Sequence, residues 1–141
     1  MYAAPCMRDS LFAADPVHVR PKPLVLIADD DADILTLVRL RLERSGYAVI
    51  SAQDGTEALA LASSHHPDIA IFDVSMPGLS GFDVTRRLRE MRTEMPVILL
   101  TARALEADVE AGAAAGADAY LTKPFSPQDL EARVRALTSG D

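Results

Sequence analysis

The stretch Pro23-Leu24-Val25-Leu26-Ile27-Ala28-Asp29-Asp30-Asp31-Ala32-Asp33-Ile34-Leu35 decides the fold. Its opening, PLVLIA, is continuously apolar, as a strand is when helices cover both of its faces. Asp29, Asp30, Asp31 and Asp33 follow at once. Beyond them Ile34, Leu37, Val38 and Leu42 recur at helical spacing from Ile34 to Ser45, with Arg39, Glu43 and Arg44 off that stripe and Gly46 placed to stop the helix. A buried strand, an acidic corner and an amphipathic helix make one βα unit. Acids after a strand commonly cap the next helix, so Asp33 is expected to cap the helix beginning at Ile34, with Asp31 open between a cap and a site group.

The same alternation runs outward to the end of the chain. YAVISA (47–52), DIAIFDV (68–74), PVILLTA (96–102) and ADAYLT (117–122) read as strands. Asp54-Gly55 turns into a helix, TEALALAS (56–63), that ends before His65-His66-Pro67; MPGLSG (76–81) is turn chemistry, and FDVTRRLREM (82–91) follows as a helix with Phe82, Val84, Leu88 and Met91 as its apolar candidates. A fourth helix is expected from about Leu105 to Ala114, closed by Gly116. Ser126, Pro127 and Asp129 open the fifth, whose stripe is Leu130, Val134 and Leu137. Five βα units imply an α/β fold, a doubly wound parallel sheet with helices on both faces.

Composition limits what such a domain does. A chain of 141 residues suits one domain, and 49% hydrophobic content with 25% charged residues supports a core. Aromatics are only 5%, with no Trp, so aliphatics and Ala must fill it. The net charge of −7 argues against a sequence-independent grip on nucleic acid or anionic membrane. Cys6, the lone cysteine, excludes an internal disulfide framework and a Cys-rich zinc site, so a reducing cytoplasm is the expected location. No apolar run is long enough to span a bilayer. Prolines 5, 16, 21 and 23 mark residues 1–23 as a flexible arm, residues 24–138 as the domain and 139–141 as a tail. The arm's Arg8, Arg20 and Lys22 outnumber Asp9 and Asp15 by one, which leaves −8 for residues 24–141.

In open α/β sheets ligands collect at the carboxyl ends of the strands. Asp29 and Asp30 follow the first strand, Asp73 lies near the end of the third, Thr101 ends the fourth and Lys123 follows the fifth. If the first and third strands are neighbours, three carboxylates converge, which is unfavourable unless something cationic intervenes. Mg²⁺, with Mn²⁺ as a substitute, suits such a set, especially when a phosphoryl oxygen completes it. Lys123 is the second candidate, because residues 24–141 contain this single lysine against ten arginines. A compact ammonium reaches into a narrow cleft where a planar guanidinium does not fit. The Lys123–Pro124 bond is expected to be cis, which an X–Pro bond adopts at little cost. Asp54, Asp68, Asp83 and Asp118 read as turn or solvated-face residues. His18, His65 and His66 are poorly placed for catalysis, no Ser–His–Asp arrangement is available, and neither Gly-rich phosphate loop occurs after the first strand.

Four segments, VLIADDDADIL (25–35), IFDVSMPGLSGFD (71–83), ILLTA (98–102) and YLTKPF (120–125), resemble in order and spacing the receiver domain of two-component response regulators. The resemblance covers residues 24 to about 138. It implies a flavodoxin-like, CheY-like sheet in the order 2-1-3-4-5, with Asp73 as acceptor of a phosphoryl group from a phosphohistidine on a sensor histidine kinase or histidine phosphotransfer protein. Asp29, Asp30, Asp73 and the main-chain carbonyl of Ser75 would hold Mg²⁺, while Lys123 and the Thr101 hydroxyl would contact phosphoryl oxygens. Tyr120 matches the switch aromatic, and Ser75 and Arg103 would tune hydrolysis.

The expected product is a signalling switch rather than a metabolic enzyme. Its output would be a change in the surface of the fourth helix, fifth strand and fifth helix, where Ala104, Ala107, Ala111 and Ala114 offer low relief to a protein partner. It would work as a stand-alone receiver or as one domain of a longer polypeptide. Two rival readings are a small aspartate-nucleophile phosphatase, suggested by the D-x-D spacings Asp29-x-Asp31 and Asp31-x-Asp33, and a receiver-like scaffold that binds partners without phosphate.

Overall fold

The computed structural model describes residues 22–102 and 106–138. The expected tail, Arg103, Ala104 and all of the expected arm except Lys22 and Pro23 lie outside the described residues, as do the side chains of residues 106–108. Five strands, β1 (Leu24–Ala28), β2 (Ala48–Ala52), β3 (Ile69–Asp73), β4 (Val97–Thr101) and β5 (Ala119–Thr122), alternate with five helices. The helices are α1 (Ala32–Arg44), α2 (Gly55–His65), α3 (Gly81–Glu90), α4 (Glu106–Ala115) and α5 (Pro127–Thr138). Neighbouring strands all pair in parallel, in the order β2-β1-β3-β4-β5. The order reverses between β1 and β3, and the cleft of a doubly wound sheet opens there.

Strand alternation builds two cores on one sheet. Val25, Ile27, Ile69, Ile71, Ile98 and Leu100 face α1 and α5, meeting Leu35, Val38, Leu42, Leu130 and Val134. The alternate residues Leu26, Ala28, Ala70, Phe72 and Leu99 face the other way, toward Ala58 and Ala62 of α2 and Val84 and Leu88 of α3. Small alanines let α2 lie close to the sheet. Each fully buried Leu, Ile or Phe stabilises the fold by about 1.5–3 kcal/mol relative to exposure, so the central strands hold the site rigidly.

The structure corrects the reading of α1. The helix begins at Ala32 rather than Ile34, and Asp31 is its cap, not Asp33. Extended backbone at Asp31 brings two free amides within reach of its own carboxylate, which accepts from Asp33 N at 2.9 Å and from Ile34 N at 3.4 Å. Asp33 sits in the first turn, where negative charge suits the helix dipole. The buried stripe is Leu35, Val38 and Leu42, whereas Leu37 is 50% exposed. Leu37 lies roughly 100° round the helix from Val38. With Ile34 it lines an apolar groove beside Lys123, Pro124 and Phe125.

Other boundaries also shift locally. Met91, expected on the apolar face of α3, stands at its C-cap and is exposed, while the buried place is filled by Thr85, whose hydroxyl donates to Gly81 O at 2.8 Å. On α5, Glu131 is buried beside Leu130, and Leu137 is partly buried against the core. The four aspartates read as turn or surface residues all accept from backbone amides, two of them near in sequence and two far from it. Asp54 caps α2, Asp83 completes a capping box with Ser80, Asp68 accepts from Leu24 N at 2.7 Å and Asp118 accepts from Val97 N at 2.9 Å. No described helix is long and apolar enough to cross a membrane.

Candidate functional site

Strand register gathers the acids. β1 and β3 pair with Ala28 opposite Phe72, so the residues that come next, Asp29 just past β1 and Asp73 at the end of β3, lie beside each other. Oxygens of Asp29, Asp30 and Asp73, one from each, lie within 4.8 Å of one another. Asp29 is wholly buried, Asp73 is buried and Asp30 is exposed. Each buried acid closes a turn on an amide two residues ahead: Asp31 N donates to Asp29 Oδ1 at 2.9 Å and Ser75 N to Asp73 Oδ1 at 3.3 Å. Reading by residue type missed these two amides. Their signal was present in the spacing, since an Asp favours a hydrogen bond to backbone two positions on.

Lys123 supplies the opposing charge. Its Nζ donates to Asp29 Oδ2 at 2.9 Å and lies 3.4 Å from Asp73 Oδ2. β4 and β5 pair with Thr101 opposite Thr122, the Lys123 amide donates to Thr101 O at 2.6 Å, and the Lys123–Pro124 bond is cis, as expected. Burial raises the Asp73 carboxyl above the ordinary carboxylate value, and the Asp29 charge raises it further against the opposing pull of Lys123 and the Ser75 amide. For Lys123 burial works toward a lower value, but the hydrogen bond and charge of Asp29 and the charge of Asp73 outweigh it and hold the ammonium above its ordinary value. The Lys123 ammonium thus lies between the Asp29 and Asp73 carboxylates and offsets both.

The donor set suits a hard divalent cation. Three carboxylates offer only oxygen, and exposed Asp30 leaves one side open to the waters that Mg²⁺ retains. Asp31, by contrast, is committed to the α1 amides, so the D-x-D spacings do not bring a further carboxylate into the cluster. Thr101, 6% exposed, ends β4 at the same edge of the sheet. Tyr120 pairs with Leu99 across β4 and β5 and is partly buried beneath α4. Its hydroxyl is buried without a hydrogen-bond partner among the described residues. Gly112 of α4 makes room for the ring, since a Cβ there would stand 3.1 Å from Tyr120 Cδ2 and Cε2.

A family model described as the response regulator receiver domain matches residues 25–135. The chain is 46% identical over 113 residues to the alkaline phosphatase synthesis transcriptional regulatory protein PhoP of Bacillus subtilis, covering 80% of this chain and 47% of that one. It is also 46% identical over 115 residues to the transcriptional regulatory protein PrrA of Mycobacterium tuberculosis, covering 82% and 49%. The chain thus spans about half the length of these curated relatives. Among solved structures, the receiver domain of the Francisella response regulator 1452 superposes with a TM-score of 0.81 at 37% identity, covering 84% of this chain and 98% of that one.

Proposed function

The chain belongs to the response regulator receiver domain family, and from that premise we propose that it is a switch operated by phosphorylation of Asp73. The observation that carries this reading is the placement of Asp73, buried at the end of β3 with Lys123 and Asp29 on one side and open to the cleft through Asp30. In the reaction an Asp73 oxygen forms a bond to phosphorus as the bond from phosphorus to a donor imidazole nitrogen breaks, giving an aspartyl phosphate and a free histidine on the partner. Lys123 holds one phosphoryl oxygen by its ammonium, and the Thr101 hydroxyl bonds another. Asp29, Asp30, Asp73 and the Ser75 carbonyl are the groups that would hold Mg²⁺ or Mn²⁺. When bound, the cation supplies positive charge where phosphoryl oxygens gather negative charge.

The partners in this reading are a histidine kinase or phosphotransfer protein upstream and a protein target downstream. Tyr120 follows Thr101 inward after phosphorylation, and Ser75 and Arg103 tune hydrolysis. Incubation with acetyl phosphate and Mg²⁺, or with a phosphohistidine donor, should add one base-labile phosphoryl group, read by intact-protein mass spectrometry. Asp73→Asn should take none. Labelling that persists in that variant overturns the assignment of the acceptor. Sustained turnover of a small phosphate ester would favour the phosphatase reading, and equal partner affinity with and without phosphate the scaffold reading.

A further inference from the structure

We propose that Gly81 is a positioning residue for Asp73: the first turn of α3 is seated on the Asp73–Val74 peptide at a distance that only a residue without a side chain permits. A Cβ at position 81 would stand 2.6 Å from Asp73 O and 3.1 Å from both Asp73 C and Val74 Cα. The Val74 amide of this peptide donates to Leu100 O at 2.8 Å, and the Gly81 amide donates to Val74 O, in the peptide that follows, at 3.0 Å. The peptide that carries the acceptor is therefore fixed between β4 and the N-terminus of α3. The loop that follows is held from α2 as well, since Gly55 N donates to Pro77 O at 3.1 Å and a Cβ on Gly55 would fall 1.9 Å from Leu79 O.

An added methyl at position 81 needs most of an ångström of relief, because non-bonded carbon contacts settle near ~3.5 Å. The relief cannot come from β3, whose Ile71 and Phe72 are wholly buried, nor readily from α3, whose Val84, Thr85 and Leu88 are wholly buried too. It falls on the Asp73–Val74 peptide and on Ser75, the segment that bears the carboxylate, its orienting amide and a proposed cation ligand. Displacements of about 1 Å at a reacting group cost up to roughly a hundredfold in rate. The inference rests on the phosphoacceptor reading, and its test separates the two.

Gly81→Ala should be compared with Thr85→Val, which removes the buried hydrogen bond to Gly81 O without adding an atom near Asp73. Far below both melting temperatures, Gly81→Ala should be phosphorylated by acetyl phosphate about ten- to a hundredfold more slowly than wild type, bind Mn²⁺ more weakly and show a displaced Ser75 amide resonance. Thr85→Val should lower the melting temperature while keeping all three near wild type. Equal losses in the two variants, or a wild-type rate, Mn²⁺ affinity and Ser75 resonance in Gly81→Ala, would overturn the positioning role. If Gly81→Ala does not fold while Thr85→Val does, the close contact is a requirement of folding and the positioning role is overturned. A wild-type protein that accepts no phosphoryl group would sink the phosphoacceptor reading, while the Mn²⁺ and Ser75 comparisons would still decide on Gly81.

Discussion

Asp73 carries a charge that its burial and Asp29 both oppose. A carboxyl whose value is raised on folding stabilises the native state only when protonated, so ionised Asp73 destabilises the fold at neutral pH in the absence of a cation. Asp73→Asn is therefore expected to raise the melting temperature at pH 7 by a few degrees. The gain should shrink as pH falls through the raised Asp73 value, because wild type then gains the proton it lacks. A thermal series across pH with and without Mg²⁺ checks this, and Mg²⁺ should stabilise wild type more than the variant. Asp30 differs from Asp73 in being exposed. Asp30→Asn should weaken Mn²⁺ binding with little change in melting temperature, and equal Mn²⁺ affinity in the two proteins would remove Asp30 from the ligand set.

Helix α1 shows how one residue of register changes which side chains matter. Leu35 is in the core and Leu37 on the rim of the groove, so Leu35→Ala should cost about 2–5 kcal/mol in a denaturant titration, and Leu37→Ala within about 0.5 kcal/mol. At the start of α1, Asp31→Ala should cost ~1 kcal/mol as a lost cap, more than Asp33→Ala. Helices α1 and α5 are further joined through Glu131, which accepts from Arg41 Nε at 2.6 Å and from an Arg135 guanidinium nitrogen at 2.6 Å. Hydrogen bonds from Arg41, Ser45 and Arg135 hold its carboxyl down at about 2 from an ordinary 4.5. Because this value is depressed on folding, the stabilisation is complete above 4.5 and is lost as pH falls toward about 2. Glu131→Gln should be less stable at neutral pH and lose less stability over that acid range, as measured by urea midpoints.

Over the whole molecule, the proposed switch would act from the charge site on the surface of α4, β5 and α5 through β4 and β5. Thr101 and Tyr120 stand on these adjoining strands, and buried Gly112 of α4 sits over the side chains of Tyr120 and Leu99, while Ala111, Ala113 and Ala114 are exposed. The far end of α4 is tied down by Arg89, which donates to Gly116 O at 3.0 and 2.9 Å and pairs with Asp118 at 3.0 Å. In the proposed switch a phosphoryl group at Asp73 has to favour the active arrangement by a few kcal/mol. Binding of beryllofluoride, a phosphoryl mimic, should shift amide resonances from the acid cluster into α4, β5 and α5. Changes confined to residues around Asp29, Asp30 and Asp73 would show that this face carries no output.

The amino-acid sequence by itself determined the five βα units and the identities of Asp29, Asp30, Asp73, Thr101 and Lys123 as site candidates, because apolar runs, glycine stops and costly charges at strand ends are local features. It also placed Asp73 within an apolar strand and singled out one lysine among ten arginines of the folded part. What remained open were properties of distance and angle. Only the tertiary structure decided that Asp31 rather than Asp33 caps α1, since that depends on which backbone amides the extended residue faces. Likewise, Leu35 and not Leu37 meets the sheet because the helix docks at one rotation out of several that its leucines allow. The contact of Gly81 with the Asp73 peptide is a meeting of α3 with the end of β3 across a tight loop, and no pattern of residue types records how closely two backbones approach. Convergence of the acids on Lys123 required the order β2-β1-β3-β4-β5 and its register, which are set by long-range packing rather than by any segment alone.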